Sequence, residues 1–416
     1  MASASTRNAP GAGHHGSPPA SDQASGLLDR IVSFVRATTV FGPTELSAEL
    51  SVELAAESAH APETIDSFDA LALETLRFQA ERVEPYRRLL HSRSRGRGIA
   101  TLSHWSQWPA VPTITFKTAA LLAAPAREVF RSSGTTRGAE RRSVHHHAFP
   151  DLYRLVVERS FPPACLLGLP PRPDMLSLVP PQSLAPDSSL SFMVDHVLRM
   201  FGGRGSACAI GSCGLEGEPA RRWLRAAAAA GVPVLVLATA LALDDLLRVL
   251  EEAGERVALP PGSALFETGG FKGRHRETSR DDLLARTTDR LAVPPQRVVR
   301  EYGMTELTSQ AYTRVLAGGD PDLFQVPSWM RAQVVDPGTL EEVPPGAVGM
   351  LRLFDLGNVG SVAFVLTEDL ACAQPGGGFR LVGRAAGAEL RGCSLAAEEL
   401  ASNMVAQPPQ TGDTGP

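Results

Sequence analysis

Lysine is almost missing from this chain of 416 residues: of its 40 basic residues only Lys117 and Lys272 are Lys, and the rest are Arg. Alanine runs such as 226–230 point the same way, towards a genome that favours Arg codons. Most Arg therefore carry little information, whereas a surviving Lys marks a position where a compact ammonium differs from a guanidinium fork. Cysteine is scarce as well. The five Cys, at 165, 208, 213, 372 and 393, are odd in number and lack framework spacing, which excludes a disulfide scaffold and fits a reducing compartment. No stretch of 18 uncharged apolar residues exists; 226–243 comes nearest, and Gly231 and Pro233 break it, so no membrane span is expected. The first 25 residues show no apolar signal core, and the expected location is cytoplasmic. An excess of positive charge is absent too, with 40 basic against 45 acidic residues, so nucleic acid and anionic membranes have no electrostatic claim. A Gly-x-Ser-x-Gly elbow is missing, and with it the signature of a serine hydrolase.

What is present is an ordinary globular composition, 43% apolar, long enough for about two to three domains. Residues 1–25 and 405–416 read as disordered tails around one body over 26–404. Apolar residues recur at helical spacing over 26–36 and 67–92. From about 125 short apolar runs alternate with helical stretches. Strands are expected at 127–131, 175–179, 206–210, 233–238, 262–267, 297–301, 331–335, 348–354, 362–366 and 379–382, and helices at 150–160, 189–200, 217–230, 241–253 and 279–290. That alternation predicts an α/β fold with a mixed, largely parallel sheet over 125–305, followed by a β-rich subdomain at about 325–400.

Five segments carry chemistry. Ser132-Ser133-Gly134-Thr135-Thr136 follows a strand and offers hydroxyls and closely spaced N–H groups suited to phosphate oxygens, although a surface turn fits the same residues and no Walker Gly-Lys-Ser/Thr follows. Tyr302-Gly303-Met304-Thr305-Glu306 follows another strand; its carboxylate suits a divalent metal and its ring an aromatic ligand, while a plain strand-to-turn junction is the simpler alternative. Thr367-Glu368-Asp369 places a carboxylate at an expected strand end, where it suits a diol. Gly383-Arg384 precedes Arg391-Gly392-Cys393, and Gly269-Gly270-Phe271-Lys272 allows close backbone approach. Cys393 has an Arg two residues away that raises its thiolate fraction, yet an inert thiol suits the same surroundings. Of the other thiols, Cys372 falls in a loop context. His145-His146-His147 makes a poor metal site, because consecutive residues on a strand or turn point apart and nothing completes the ligand set. Asp195 and His196 read as a pair at a surface or pocket edge.

Order and spacing of these pieces resemble the ATP-dependent adenylating superfamily. More narrowly, the chain resembles the acyl-protein synthetase (LuxE) family, through PTITFK at 112–117, SSLSFMV at 188–194, ETGGFKGR at 267–274, EYGMTELTSQAY at 301–312 and GRAAGAELRGCSL at 383–395. The likeness extends over roughly 65–400. It implies the layered mixed sheets of the adenylating-enzyme large domain, with a β-rich subdomain and a much reduced C-terminal lid. ATP and Mg²⁺ would be its cofactors, a fatty or related carboxylic acid its substrate, and an acyl reductase its partner.

By that resemblance Ser132, Ser133, Gly134, Thr135 and Thr136 would lie over ATP, with Tyr302 beside adenine and Gly303 among the nucleotide-binding residues. Thr305 and Glu306 would meet the α-phosphate and Mg²⁺, Asp369 the ribose hydroxyls, and Arg384 ribose or phosphate. Cys393 would take the acyl group as a thioester, and Lys117 and Lys272 would line or support the adenylate pocket. Two departures stand out: Arg137 displaces the glycine usual after the two Thr, and only 25 residues, none of them Lys, follow Arg391. The alternatives are transfer to coenzyme A or a carrier thiol, and a non-catalytic acyl- or nucleotide-binding subunit.

Overall fold

The computed structural model describes residues 20–42, 66–94, 101–133, 142–269 and 278–384. In chain order its helices are α1 (Ala20–Ala37), α2 (Phe68–Arg82), α3 (Glu84–Ser94), α4 (Pro150–Cys165), α5 (Ser189–Phe201), α6 (Gly217–Ala230), α7 (Ala240–Glu252) and α8 (Arg280–Leu291). The strands before the middle of the chain are β1 (Val111–Pro112), β2 (Glu128–Arg131), β3 (Val144–His147), β4 (Met175–Leu178), β5 (Ala207–Cys208), β6 (Ile210–Gly211), β7 (Gly214–Leu215) and β8 (Leu235–Thr239). They continue with β9 (Ala264–Thr268), β10 (Val298–Tyr302), β11 (Ala311–Thr313), β12 (Phe324–Gln325), β13 (Met330–Val335), β14 (Val348–Asp355), β15 (Phe364–Ala373) and β16 (Phe379–Arg384). Helix α1 begins at Ala20, inside the stretch expected to be a tail; Ala and Gln there are good helix formers.

Period-two alternation builds the centre. Strands β5, β4, β8, β9 and β10 run parallel in that order. Leu235, Leu237, Phe266 and Val299 face one core, which includes Phe161 of α4 and Phe192 of α5. Their sequence neighbours Val236, Ala238, Leu265 and Val298 face a second core, which includes Leu224, Leu246 and Leu283 of α6, α7 and α8. Helices thus cover both faces of the parallel strands, as burial on both sides requires. The layered α/β expectation holds.

The β-rich part is continuous with this sheet. Strand β10 turns antiparallel onto β11, then β12, β16, β15, β14 and β13 follow, all antiparallel, so 330–384 extends one twelve-stranded sheet. Two expectations need correction here. Thr367-Glu368-Asp369 lies inside β15 beside a register shift, because the strand pairs with β14 and β16 beyond the apolar run that marks its start. Cys372 likewise belongs to β15 rather than a loop. No helix among the described residues is long and apolar enough to cross a membrane.

Local capping explains how tightly the strands hand over to helices. Thr239 ends β8 and caps α7, its hydroxyl accepting the Ala242 N–H at 3.1 Å. Replacing it with Ala should cost about 1 kcal/mol of unfolding free energy in urea titrations, the usual value of such a cap. A Val382→Ala change on the exposed surface should stay within about 0.5 kcal/mol.

Candidate functional site

Ligands of open α/β sheets settle beyond the carboxyl ends of the parallel strands. Here that edge presents Thr268 and the pair Glu301 and Tyr302, the last residues of β9 and β10. Alternation sends the two side chains of the pair opposite ways. Glu301 is buried and accepts a hydrogen bond from the Thr268 hydroxyl. Its carboxylate also comes over Gly303, where any Cβ would collide with Glu301 Oε1, so the glycine is required by close approach.

Tyr302 packs edge-on to Phe324 and Phe379, with ring centroids 6.1 and 5.3 Å away. Its hydroxyl donates to Asp369 Oδ2 at 2.8 Å, and Arg384 Nε lies 3.3 Å from Asp369 Oδ1. Three strands, β10, β15 and β16, therefore assemble a cluster from residues 302, 369 and 384, with Asp369 and Arg384 directly paired in register. Burial, and next the charge of Asp369, push the Tyr302 phenol well above its ordinary value, so it stays a donor. Asp369 keeps further lone pairs for a ligand's hydroxyls, and the Arg384 side chain is half exposed.

The turn after β10 carries Thr305 and Glu306. It is held by its backbone: the Thr305 carbonyl meets His145 Nδ1 at 2.8 Å, and the Glu306 carbonyl accepts from Asn358 Nδ2 at 2.8 Å. Further along, Asp355 Oδ2 accepts from the Thr308 and Ser309 N–H groups at 2.9 and 2.8 Å, while Oδ1 accepts from the Ser309 hydroxyl and Gly357 N–H, both at 2.8 Å. Desolvation outweighs these bonds and raises the Asp355 carboxyl above its usual range. The Glu306 side chain is itself mostly buried.

Ser132 and Ser133 follow β2, the first strand of the β2–β3 hairpin. The Ser132 hydroxyl accepts from the Ser143 N–H at 2.9 Å, tying the two strands together just past β2. On β3, His145 and His147 are buried and share one face, and His147 Nε2 lies 2.8 Å from the Thr308 hydroxyl. The hairpin end and the 305–308 turn are thereby joined. Sequence reasoning weighed these histidines only as metal ligands and passed over Asp355 and Asn358. The signal for the first was alternation: on a strand, 145 and 147 share a face and 146 does not.

Lys117 is exposed at the end of the turn Thr113–Lys117 and makes no hydrogen bond or ion pair among the described residues. Its neighbour Phe116 packs edge-on to His145, at 5.7 Å between centroids. Gly134, Thr135, Thr136, Lys272 and Cys393 lie outside the described residues. His196 is buried against Glu158 at 2.8 Å, and Asp195 accepts the Gln182 N–H at 2.8 Å, so this pair has structural work to do. Of the remaining thiols Cys165 is buried, its value pushed up by desolvation, whereas Cys208 and Cys213 are exposed. No cluster of three His, Cys, Asp or Glu suited to a metal occurs among the described residues.

Residues 221–401 match the family model described as acyl-protein synthetase, LuxE. Among solved structures, 2-hydroxyisobutyryl-CoA ligase in complex with 2-HIB-AMP and CoA is similar with a TM-score of 0.55 at 16% identity, covering 76% of this chain and 68% of that one. The same ligase in the postadenylation state with 2-HIB-AMP gives a TM-score of 0.51 at 17% identity, over 76% and 67%. ATP-bound MatB from Rhodopseudomonas palustris is 18% identical, with a TM-score of 0.42 over 63% of this chain; the chain spans about half, 48%, of that protein's length. The two likenesses to the ligase show a shared fold. No curated protein matches the sequence.

Burial lowers His145 from its ordinary 6.5 to about 4. Between those values the unfolded chain binds a proton that the folded chain refuses, so stability falls as pH drops through this window. The His145 contribution lost between pH 7 and pH 5 should be about 2 kcal/mol. Urea midpoints at the two pH values should therefore differ more in the parent than in His145→Asn; equal differences would contradict a neutral buried imidazole.

Proposed function

We propose that the chain, whose residues 221–401 match the family model described as acyl-protein synthetase, LuxE, activates a fatty or related carboxylic acid with ATP and loads the acyl group onto its own Cys393. The observation that carries this reading is the convergence of Tyr302, Asp369 and Arg384 from three strands, beside the turn bearing Thr305 and Glu306. A ribose diol would donate to Asp369, Arg384 would bridge ribose or phosphate, and adenine would lie against the Tyr302 side. Thr305 would meet the α-phosphate.

Activation is attack of a carboxylate oxygen on the α-phosphorus of ATP, forming the acyl-adenylate and releasing pyrophosphate. The Cys393 thiolate then attacks the acyl carbon, a thioester forms and AMP leaves with the bonding electron pair. Positioning and charge neutralisation supply most of the rate in such phosphoryl chemistry. Arg384, with Lys272 and Lys117, would supply fixed positive charge. Mg²⁺, when bound, would neutralise phosphate oxygens. Glu306 fits it as a single carboxylate ligand, which suits a metal that takes one or two carboxylates together with phosphates and water. The thioester would feed an acyl reductase, whose product from such a carboxylic derivative is an aldehyde. The shared fold with a ligase solved with 2-HIB-AMP supports the adenylate step.

Radiolabelled pyrophosphate should exchange into ATP only when a carboxylic acid is present, and Asp369→Asn should slow that exchange by about tenfold or more, the worth of a charge-assisted hydrogen bond. Labelled fatty acid plus ATP should leave a hydroxylamine-sensitive label on the protein, abolished in Cys393→Ala while exchange persists. A Cys393→Ala protein labelled like its parent would refute self-acylation, and a label that appears only on added coenzyme A would assign the acceptor there.

A further inference from the structure

The donor and acceptor chemistry around β3 fixes more than a packing role for its two buried histidines. A carbonyl oxygen only accepts, so His145 Nδ1, 2.8 Å from the Thr305 carbonyl, carries the ring hydrogen. Asn358 donates from Nδ2 to the Glu306 carbonyl at 2.8 Å and to the Val362 carbonyl at 3.1 Å, which leaves its Oδ1 as an acceptor. The Thr308 hydroxyl donates to that Oδ1 at 2.6 Å and has spent its one hydrogen. It must therefore accept from His147 Nε2. The rings, 5.2 Å apart between centroids, hold opposite tautomers.

In each ring the other nitrogen, Nε2 of His145 and Nδ1 of His147, is buried without a hydrogen-bond partner among the described residues. Burying an unpartnered polar atom costs stability that an apolar residue at the same place would avoid. Packing alone gives no reason for two imidazoles here. Each instead delivers one directed N–H, and both arrive on the 305–308 turn from the hairpin that carries Ser132 and Ser133.

We propose that His145 and His147 are positioning residues that lock the Thr305–Glu306 turn to the end of the β2–β3 hairpin, through Nδ1–H of the first and Nε2–H of the second. The inference rests on the nucleotide reading of this site. Its consequence is that Ser132 and Ser133 and the turn facing the α-phosphate keep one relative placement. The pair acts through the turn and touches no reacting atom.

The opposite tautomers allow a crossed test. Asn places an N–H where imidazole Nδ1 lies, and Gln places one where Nε2 lies. His145→Asn and His147→Gln should keep the KM for ATP in carboxylate-dependent pyrophosphate exchange within about threefold of the parent. The crossed pair His145→Gln and His147→Asn should raise it by about tenfold, the value of one lost hydrogen bond. The KM for the carboxylate should not separate the matched from the crossed variants. Equal KM values for matched and crossed variants, or changes that only follow the thermal midpoint, would overturn the proposal. Imidazole ¹⁵N shifts of the parent, assigned with the matched variants, give a readout independent of activity. One Nδ1–H and one Nε2–H ring, both neutral at pH 7, are expected; two identical tautomers or an imidazolium would overturn it. A parent that neither binds ATP nor exchanges pyrophosphate would sink the nucleotide reading and this one together. Normal exchange in the crossed variants would sink only this one.

Discussion

The Asp355 carboxylate is the constraint on which the rest of the site depends. It is fully buried at the end of β14 and accepts four hydrogen bonds, three of them from the turn residues Thr308 and Ser309. A buried carboxylate is costly unless its lone pairs are filled, so the turn is obliged to hold one conformation. That conformation sets where Thr305 and Glu306 stand. Trp329 Nε1 donates to the Ser309 hydroxyl at 3.0 Å and adds a wall of bulk behind it.

From this anchor the turn is tied in three directions. Asn358, three residues after Asp355, grips the Glu306 carbonyl and the Thr308 hydroxyl. Histidines of the β2–β3 hairpin reach Thr305 and Thr308 from another side. Strand β10 leads into the turn, and Gly303 gives the Glu301 carboxylate room to lie against the chain there. The antiparallel half of the sheet contributes Asp369 and Arg384, so two halves of one sheet, parallel and antiparallel, meet at Tyr302.

Much of this was legible in the sequence, and the residues show why. Short apolar runs such as 233–238 and 262–267 identified the parallel strands because both their faces are buried. Tyr302, Asp369 and Arg384 stood out through short polar motifs, and the structure brings these three together. Asp369 was misplaced at a strand end because β15 continues through half-buried polar residues, Glu368 and Asp369, which carry no apolar signal. The supporting groups Asp355, Asn358, His145 and His147 were illegible as a set. They are separated by about two hundred residues of chain, and only pairing of distant strands makes them neighbours. Lys scarcity singled out Lys117, which lies exposed one residue beyond the Phe116 that packs on His145.

The central claim is that an adenylate sits where β10, β15 and β16 converge. A crystal structure with a 5′-O-(N-acylsulfamoyl)adenosine, a stable mimic of the acyl-adenylate, tests it most directly. The account predicts ribose hydroxyls on Asp369, adenine on the Tyr302 side, and the sulfamoyl group beside Thr305. A mimic bound away from all three residues, with the Tyr302–Asp369 hydrogen bond undisturbed and no contact to it, would contradict the account.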